Sequence, residues 1–295
     1  MLHDTQERVG APIRIRAAHA EDIDDCSRIC YEAFNAIARQ HGFPSDYKTK
    51  GNARQTIATI FAHPSFYNIV AERSGTVVGS NCMDERSSIW GIGPLTIDPA
   101  VQNIGIGKQL MTAMLCRAAE RGASGVRLVQ AAFHCRSMAL YSKLSFIVRE
   151  LVFVLQGSLE SEIPASYSVR SCTTEDLGAC NALCRQVHGH DRAVELAEAI
   201  DNGSARVAEF EGRISAYSTG VSFFGHSIAE DNKSLQALLG GADRFRGPGI
   251  LVPARNGELL RWCLNRGLRM VQPMTLMTTG FYNEPAGAYL PSILF

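Results

Sequence analysis

The stretch VQNIGIGKQLM, Val101 to Met111, alternates two glycines, follows them with a lysine and runs straight into an apolar, helix-like segment. Upstream, GPLTID (93–98) reads as a strand that meets Pro99; downstream, Lys108–Arg121 reads as a helix ended by Gly122. The loop lacks the GxxxxGK[ST] spacing of a P-loop, and Leu110 stands where GxGxxG needs its third glycine. A strand, a loop of small residues and a helix N-terminus remain, an arrangement in which consecutive backbone amides and the helix dipole favour a pyrophosphate. Lys108 can add a charge-assisted contact or stand as a solvated first-turn lysine. A strand-to-helix turn that holds no ligand is the competing reading.

Around this loop the first half reads as strand, helices, strands, helix, strand, helix, strand. Ile13 to Arg16 alternates as a strand, and Glu21-Asp22 opens a helix whose apolar positions Ile23, Cys26, Cys30, Ala33, Phe34 and Ile37 recur at helical spacing. Phe66–Glu72 and Thr76–Met83 form a hairpin about Arg73-Ser74-Gly75. Val126–Ala132 is a strand, Arg136–Leu144 a helix and Phe146–Leu155 a last strand. This order predicts an α/β sheet with helices on both faces.

The chain also repeats itself. IRIRAAHAEDIDDCSRIC (13–30) recurs as YSVRSCTTEDLGACNALC (167–184), at an offset of 154 that aligns Arg16 with Arg170, Asp22 with Asp176 and Cys30 with Cys184. LVQAAFHCRSMALYSKLSF (128–146) returns as LVPARNGELLRWCLNRGL (251–268) at an offset of 122, setting His134 opposite Asn256 and Tyr141 opposite Cys263. The 32 residues separating those offsets are missing from the second half, in the interval where the first keeps its glycine loop, and the 242–253 region shows no such loop. Two related domains follow, 1–158 and 164–295, joined by the polar stretch QGSLESEIPASY (156–167).

Bulk properties exclude several classes. The 295 residues carry 29 Lys plus Arg against 29 Asp plus Glu, so no net field draws the protein to nucleic acid or an anionic membrane. MLHDTQERVG shows no charged-then-apolar signal pattern, and no run reaches membrane-spanning length. Nine cysteines without a CxxC pair fit reduced thiols, and the expectation is a cytoplasmic protein without structural disulfides. Cys180, Cys184 and His188 share a helix face, with His190 close behind, which permits a zinc site. Apolar neighbours Ala179, Leu183 and Val187 support core packing instead, and the expectation is no metal.

TIDPAVQNIGIGKQLM and LYSKLSF stand at the order and spacing of a known family. Through Gln102-x-x-Gly105-x-Gly107 after a strand ending in Asp98-Pro99, and Leu140-Tyr141-x-x-x-x-Phe146, residues 13 to about 150 resemble the GNAT superfamily of acyl-CoA-dependent N-acyltransferases. The repeat and the ending AYLPSIL (288–294) are similar to a two-domain bacterial subgroup. The resemblance implies two GNAT-like domains, each a mixed, mostly antiparallel sheet flanked by helices, with acetyl-CoA as co-substrate and the second domain degenerate. It implies that the backbone of Leu95, Thr96 and Ile97 pairs with the pantetheine arm. The amides of Gln102, Asn103, Ile104, Gly105, Ile106, Gly107 and Lys108 would hold the pyrophosphate. Tyr141 falls at the tyrosine that protonates the departing thiolate, the alternative being a core aromatic.

Three positions depart from the family pattern. His134 stands where an asparagine usually contacts the cofactor arm, and Ser145 replaces the glycine before Phe146. Gly91 lies where histone-type members carry a glutamate base. For a replacement base the sequence offers Met83-Asp84-Glu85-Arg86, in which alternation puts Asp84 and Arg86 on one face and Glu85 on the other. Glu85 or Asp84 then accepts the amine proton or orients the substrate amine, and Arg86 is available for a substrate carboxylate, unless the cluster is a solvated turn. The resemblance also offers the chain-terminal carboxylate, on Phe295.

Two functions stand. One is an N-acetyltransferase moving an acetyl group from acetyl-CoA to a primary amine of a small molecule, amino acid or peptide by direct attack; the other is a degenerate acyl-CoA-binding sensor or interaction protein. The acceptor would be read by the loop Gln40–Lys50 and by the second domain, where no motif identifies it, and the sequence carries no signal for oligomeric state.

Overall fold

The computed structural model describes residues 12–160, 162–242, 245 and 247–294. The first eleven residues, which include the stretch read for a targeting signal, and Phe295 lie outside the described residues.

The first half runs β1 (Ile13–Ala17), α1 (Ile23–Gln40), α2 (Lys50–Ala62), β2 (Phe66–Arg73), β3 (Thr76–Asp84), β4 (Ile89–Ile92), β5 (Thr96–Ile97), α3 (Ile106–Glu120), β6 (Gly125–Ala131), α4 (Cys135–Lys143) and β7 (Ile147–Gln156). The second half repeats the order as β8 (Tyr167–Ser171), α5 (Leu177–His188), α6 (Ala193–Asp201), β9 (Arg206–Phe210), β10 (Arg213–Ser218), β11 (Ser227–Ala229), α7 (Asn232–Gly240), β12 (Ile250–Pro253), α8 (Gly257–Asn265) and β13 (Arg269–Gly280), with β14 (Ala288–Leu290) added. One element is shorter than its sequence suggests. The strand expected over 93–98 keeps only Thr96–Ile97, because Gly93 and Pro94 break it from β4 and proline has no N–H for a ladder.

Residues that side by side obey a period of two bury both faces of the first sheet. In β2, Ile69 and Ala71 join the core beneath α3 and α4, while Val70 between them joins Cys26, Ile29, Cys30 and Ile57 of α1 and α2. α3 presents Ile106, Leu110, Met111, Met114 and Ala118 to the same core at helical spacing. The repeat is exact to the ion pair at the head of each half. Arg16 pairs with Asp22 at 2.7 Å and Glu72 at 2.8 Å, and Arg170 pairs with Asp176 at 2.6 Å and Glu209 at 2.7 Å. In both copies the aspartate also accepts from the backbone N–H three residues before it, closing the turn that starts the helix.

One of the two sheets crosses the junction between β7 and β8. One sheet runs β1-β2-β3-β4-β6-β13-β7-β12 with β5 attached to β3; the other runs β14-β11-β10-β9-β8. Strand β13 of the second half lies between β6 and β7 of the first, Met274 facing Ala131 on one side and Val152 on the other. Strand β7 in turn lies between β13 and β12, with Val154 opposite Leu251. Each half thus lends a strand to the other, β13 lying beside β6 and β7 beside β12. The second sheet is wholly antiparallel, and the first departs from antiparallel pairing only where β4 runs beside β6.

Candidate active site

The loop from Val101 to Gly107 joins β5 to the start of α3, with the geometry to take an anion. β5 pairs with β3 alone, so beyond Gly93-Pro94 the sheet splits and β5 presents its other edge to the gap before β6. Ile97 already gives its carbonyl to Gln102 Nε2 at 3.1 Å, which ties the loop to the strand. Gly105 caps α3 at φ +89°, a left-handed conformation that a β-carbon strains. The Gln109 amide reaches back to the Gly105 carbonyl, so the amides of Ile106, Gly107 and Lys108 are the free first-turn donors. Gln102, Asn103, Gly105, Ile106, Gly107 and Lys108 line one cleft of about 2090 Å³; the Ile104 side chain, half exposed, is outside it.

Sequence reasoning missed one member of this cradle. Arg136, in the first turn of α4, donates to Gln102 Oε1 at 2.6 Å and to Asn103 Oδ1 at 3.2 Å. Its guanidinium stands beside the loop, where a pyrophosphate needs a cation. Only a spatial link shows this, since 33 residues separate Arg136 from Asn103.

His134 caps the same helix and accepts or shares a hydrogen bond with Ser137 Oγ at 2.7 Å from Nδ1. Burial, assisted by Arg136 and His41, pushes its imidazole down to about 4, so it is neutral near pH 7. Tyr141 lies one turn beyond Ser137 in the first core and on the cleft wall, edge-on to Phe146. Burial pushes its hydroxyl up to about 12 against the opposing hydrogen bond with Ser137, so it remains a proton-bearing donor.

The Asp84-Glu85-Arg86 cluster divides as alternation predicts, and each of its side chains has an ion-pair partner. Asp84 is buried, and Arg86 takes both its oxygens, Nε to Oδ1 at 2.9 Å and Nη2 to Oδ2 at 2.6 Å. Arg86 faces the cleft but also grips Glu198 of α6 at 2.6 Å. It joins the two halves, and two carboxylates already neutralise it. Glu85 turns to the other side, where Arg117 of α3 holds it at 2.5 Å and stacks on Tyr67. Glu85 does not line the cleft.

The segment after β14 returns to β4 and crosses Gly91, whose absent side chain gives room to the Leu294 carbonyl. Ile293 is fixed there by donating its amide to Phe223 at 2.9 Å, and Ile293, Leu294 and Phe223 all line the cleft. Glu195, Glu198, Thr219 and Ser222 add polar wall from the second half.

Among the described residues the second half has no comparable loop. The counterpart of the glycine loop is the turn into α7, earlier than the 242–253 region, and there the Asp231 carboxylate accepts from the Ser234 amide at 2.8 Å. A carboxylate on that N-terminus repels an anion. Cys263, opposite Tyr141 in the repeat, is fully buried and its thiol is pushed up to about 12. Cys180 and Cys184 pack with Leu183, Val187 and Leu196, while His188 meets His226 at 3.2 Å. Among the described residues no three His, Cys, Asp or Glu side chains are placed to hold a metal ion. Nor, among them, is any helix long and apolar enough to cross a membrane.

Comparison with known proteins bears on the fold. Residues 30–146 match the acetyltransferase (GNAT) family model. A candidate acetyltransferase of Pyrococcus horikoshii superposes with a TM-score of 0.69 at 18% identity, over 98% of this chain and 97% of that one. A GCN5-related N-acetyltransferase of Sphaerobacter thermophilus gives 0.59 at 13% identity, over 92% and 96%. A tandem GNAT protein from the clavulanic acid biosynthesis pathway gives 0.54 at 14%, over 91% and 98%. Curated proteins include no match to the chain. At these identities the solved structures speak for the fold, which they share from end to end. Residues 30–146 are therefore an acetyltransferase domain of the GNAT family, set in a tandem arrangement of two such folds.

Proposed function

We propose that the protein transfers an acetyl group from acetyl-CoA to a primary amine of a small molecule, amino acid or peptide by direct attack. The observation that carries this reading is the meeting, in one cleft, of the glycine-capped start of α3, the open edge of β5 and the Tyr141 side chain. The residues fit the co-substrate: the amides of Ile106, Gly107 and Lys108 with Arg136 suit a pyrophosphate, and the edge at Leu95–Ile97 suits an amide-bearing arm laid between β5 and β6. His134, uncharged, borders the arm's exit without adding a cation. Tyr141 donates its hydroxyl hydrogen to the charge that develops on sulfur as the C–S bond breaks.

The second half shapes the acceptor side of the cleft through Glu195, Glu198, Thr219 and Phe223, and Arg86 keeps that wall in register. We place the protein in the cytoplasm, where acetyl-CoA is found and its nine unpaired thiols stay reduced. A second reading, an acyl-CoA-binding sensor, is favoured by one observation: Leu294 occupies the space above Gly91 where a side-chain base would stand.

Release of free thiol from acetyl-CoA, followed with glucosamine, tyramine, a diamine and an alanyl peptide, separates the two. Amine-dependent release supports the transferase. Tight acetyl-CoA binding with no release above the amine-free rate for any of the four supports the sensor.

A further inference from the structure

The cleft has three acidic side chains among its described lining residues, Asp46, Glu195 and Glu198. Two are committed. Glu195 is paired with Arg192 at 2.5 Å and accepts from Thr219 Oγ1 at 3.1 Å, and Glu198 is held by Arg86 at 2.6 Å and lies 3.3 Å from His63. Asp46 has no ion pair among the described residues; Gln272 Nε2 approaches its Oδ1 at 3.4 Å.

The position of Asp46 is built rather than incidental. It sits in the loop between α1 and α2, pinned on both sides. Three residues before it, Phe43 stacks at 4.1 Å on Phe133, which lies two residues past β6 and next to His134. Directly after it, Tyr47 exchanges backbone hydrogen bonds with the Asn35 side chain, 2.8 and 3.2 Å, and meets Phe34 edge-on at 5.9 Å. Gln272 belongs to β13, the strand lent by the second half. A short polar loop thus has three anchors on three elements, and its carboxylate faces the same cleft as Tyr141.

Resting on the transferase reading, the geometry points to Asp46 as the group that accepts the proton of the acceptor amine. The carboxylate takes one proton from the ammonium form, leaving a neutral amine. The nitrogen lone pair forms the N–C bond to the thioester carbonyl carbon, and the C–S bond breaks. Tyr141 gives its proton to the thiolate and regains one from the acylated nitrogen, while Asp46 releases its own to water. The net change is ammonium plus thioester to amide, thiol and one proton.

The surroundings suit this role. Burial pushes the Asp46 carboxyl up to about 6, with Gln272 drawing it the other way. The titratable groups that sense it, Tyr47 beside it and Cys30 on α1, are both pushed up by burial and are neutral near pH 7. Lys48 lines the cleft two residues on, and His134 across the Phe133 stack is neutral. A base that titrates near 6 is ionised at neutral pH yet still basic enough to draw a proton.

The test is the pH dependence of acetyl transfer to the best amine of the panel, with Asp46→Asn, Asp46→Glu and Gln272→Leu beside the wild type and acetyl-CoA affinity measured for each. The wild type is expected to gain turnover as pH rises through about 6. Asp46→Asn should bind acetyl-CoA normally, turn over about 10²-fold slower or less, and lose that limb. Asp46→Glu should recover part of the rate, and Gln272→Leu should move the limb to higher pH. An Asp46→Asn protein with the limb and rate intact overturns the proposal and leaves the transferase reading standing. A wild type that binds acetyl-CoA but acylates none of the panel overturns the transferase reading itself, and the proposal with it.

Discussion

The carbonyl oxygen of Leu294 lies where a β-carbon on Gly91 would project. Gly91 is thus required by the return of the chain's last segment over β4, and the missing side-chain base has a steric cause. Gly91→Ala forces that segment away and should cost about 1–3 kcal/mol of stability by overpacking. Removing residues 291–295 should abolish most of the penalty, so the two changes are non-additive in urea denaturation. Additive effects would mean the segment does not bear on Gly91.

Arg86 bridges Asp84, buried on β3, and Glu198 on α6. Arg86→Met leaves the Asp84 carboxylate buried without its partner and should cost about 3–5 kcal/mol in denaturant titration. Glu198→Gln, at a carboxylate one-third exposed, should cost about 1 kcal/mol or less. Glu85→Gln, on the side away from the cleft, should leave turnover unchanged.

Much of this arrangement was legible in the residues. The glycine loop, the hairpin over 66–83, the helix after Gly105 and the repeat at an offset of 154 follow from short-range spacing and self-comparison, and the elements appear where they point. The exchange of β7 and β13 was not legible. Nothing local in either strand says which sheet edge it joins. The same limit hid Arg136, Asp46 and the partners of Asp84 and Glu85. A carboxylate's role depends on the cation it meets, and Arg117 is 32 residues from Glu85 in the chain.

Tyr141→Phe removes a donor and leaves the ring in place. We expect acetyl-CoA affinity to hold while kcat falls about 10²-fold, the usual size of a positioned donor to developing charge. Because burial holds the hydroxyl at about 12, turnover should show no falling limb from Tyr141 between pH 8 and 10. A steep loss in that range, absent in Tyr141→Phe, would contradict a protonated Tyr141.

The central claim is that the chain holds one acyl-CoA cradle, in its first half. Isothermal titration of the full chain with acetyl-CoA tests it, with Gly105→Val and Arg136→Ala alongside. The account predicts one site per chain, lost in Gly105→Val, where a side chain is strained at φ +89°, and weakened in Arg136→Ala. Absence of binding by the wild type, or binding that survives Gly105→Val unchanged, would contradict it.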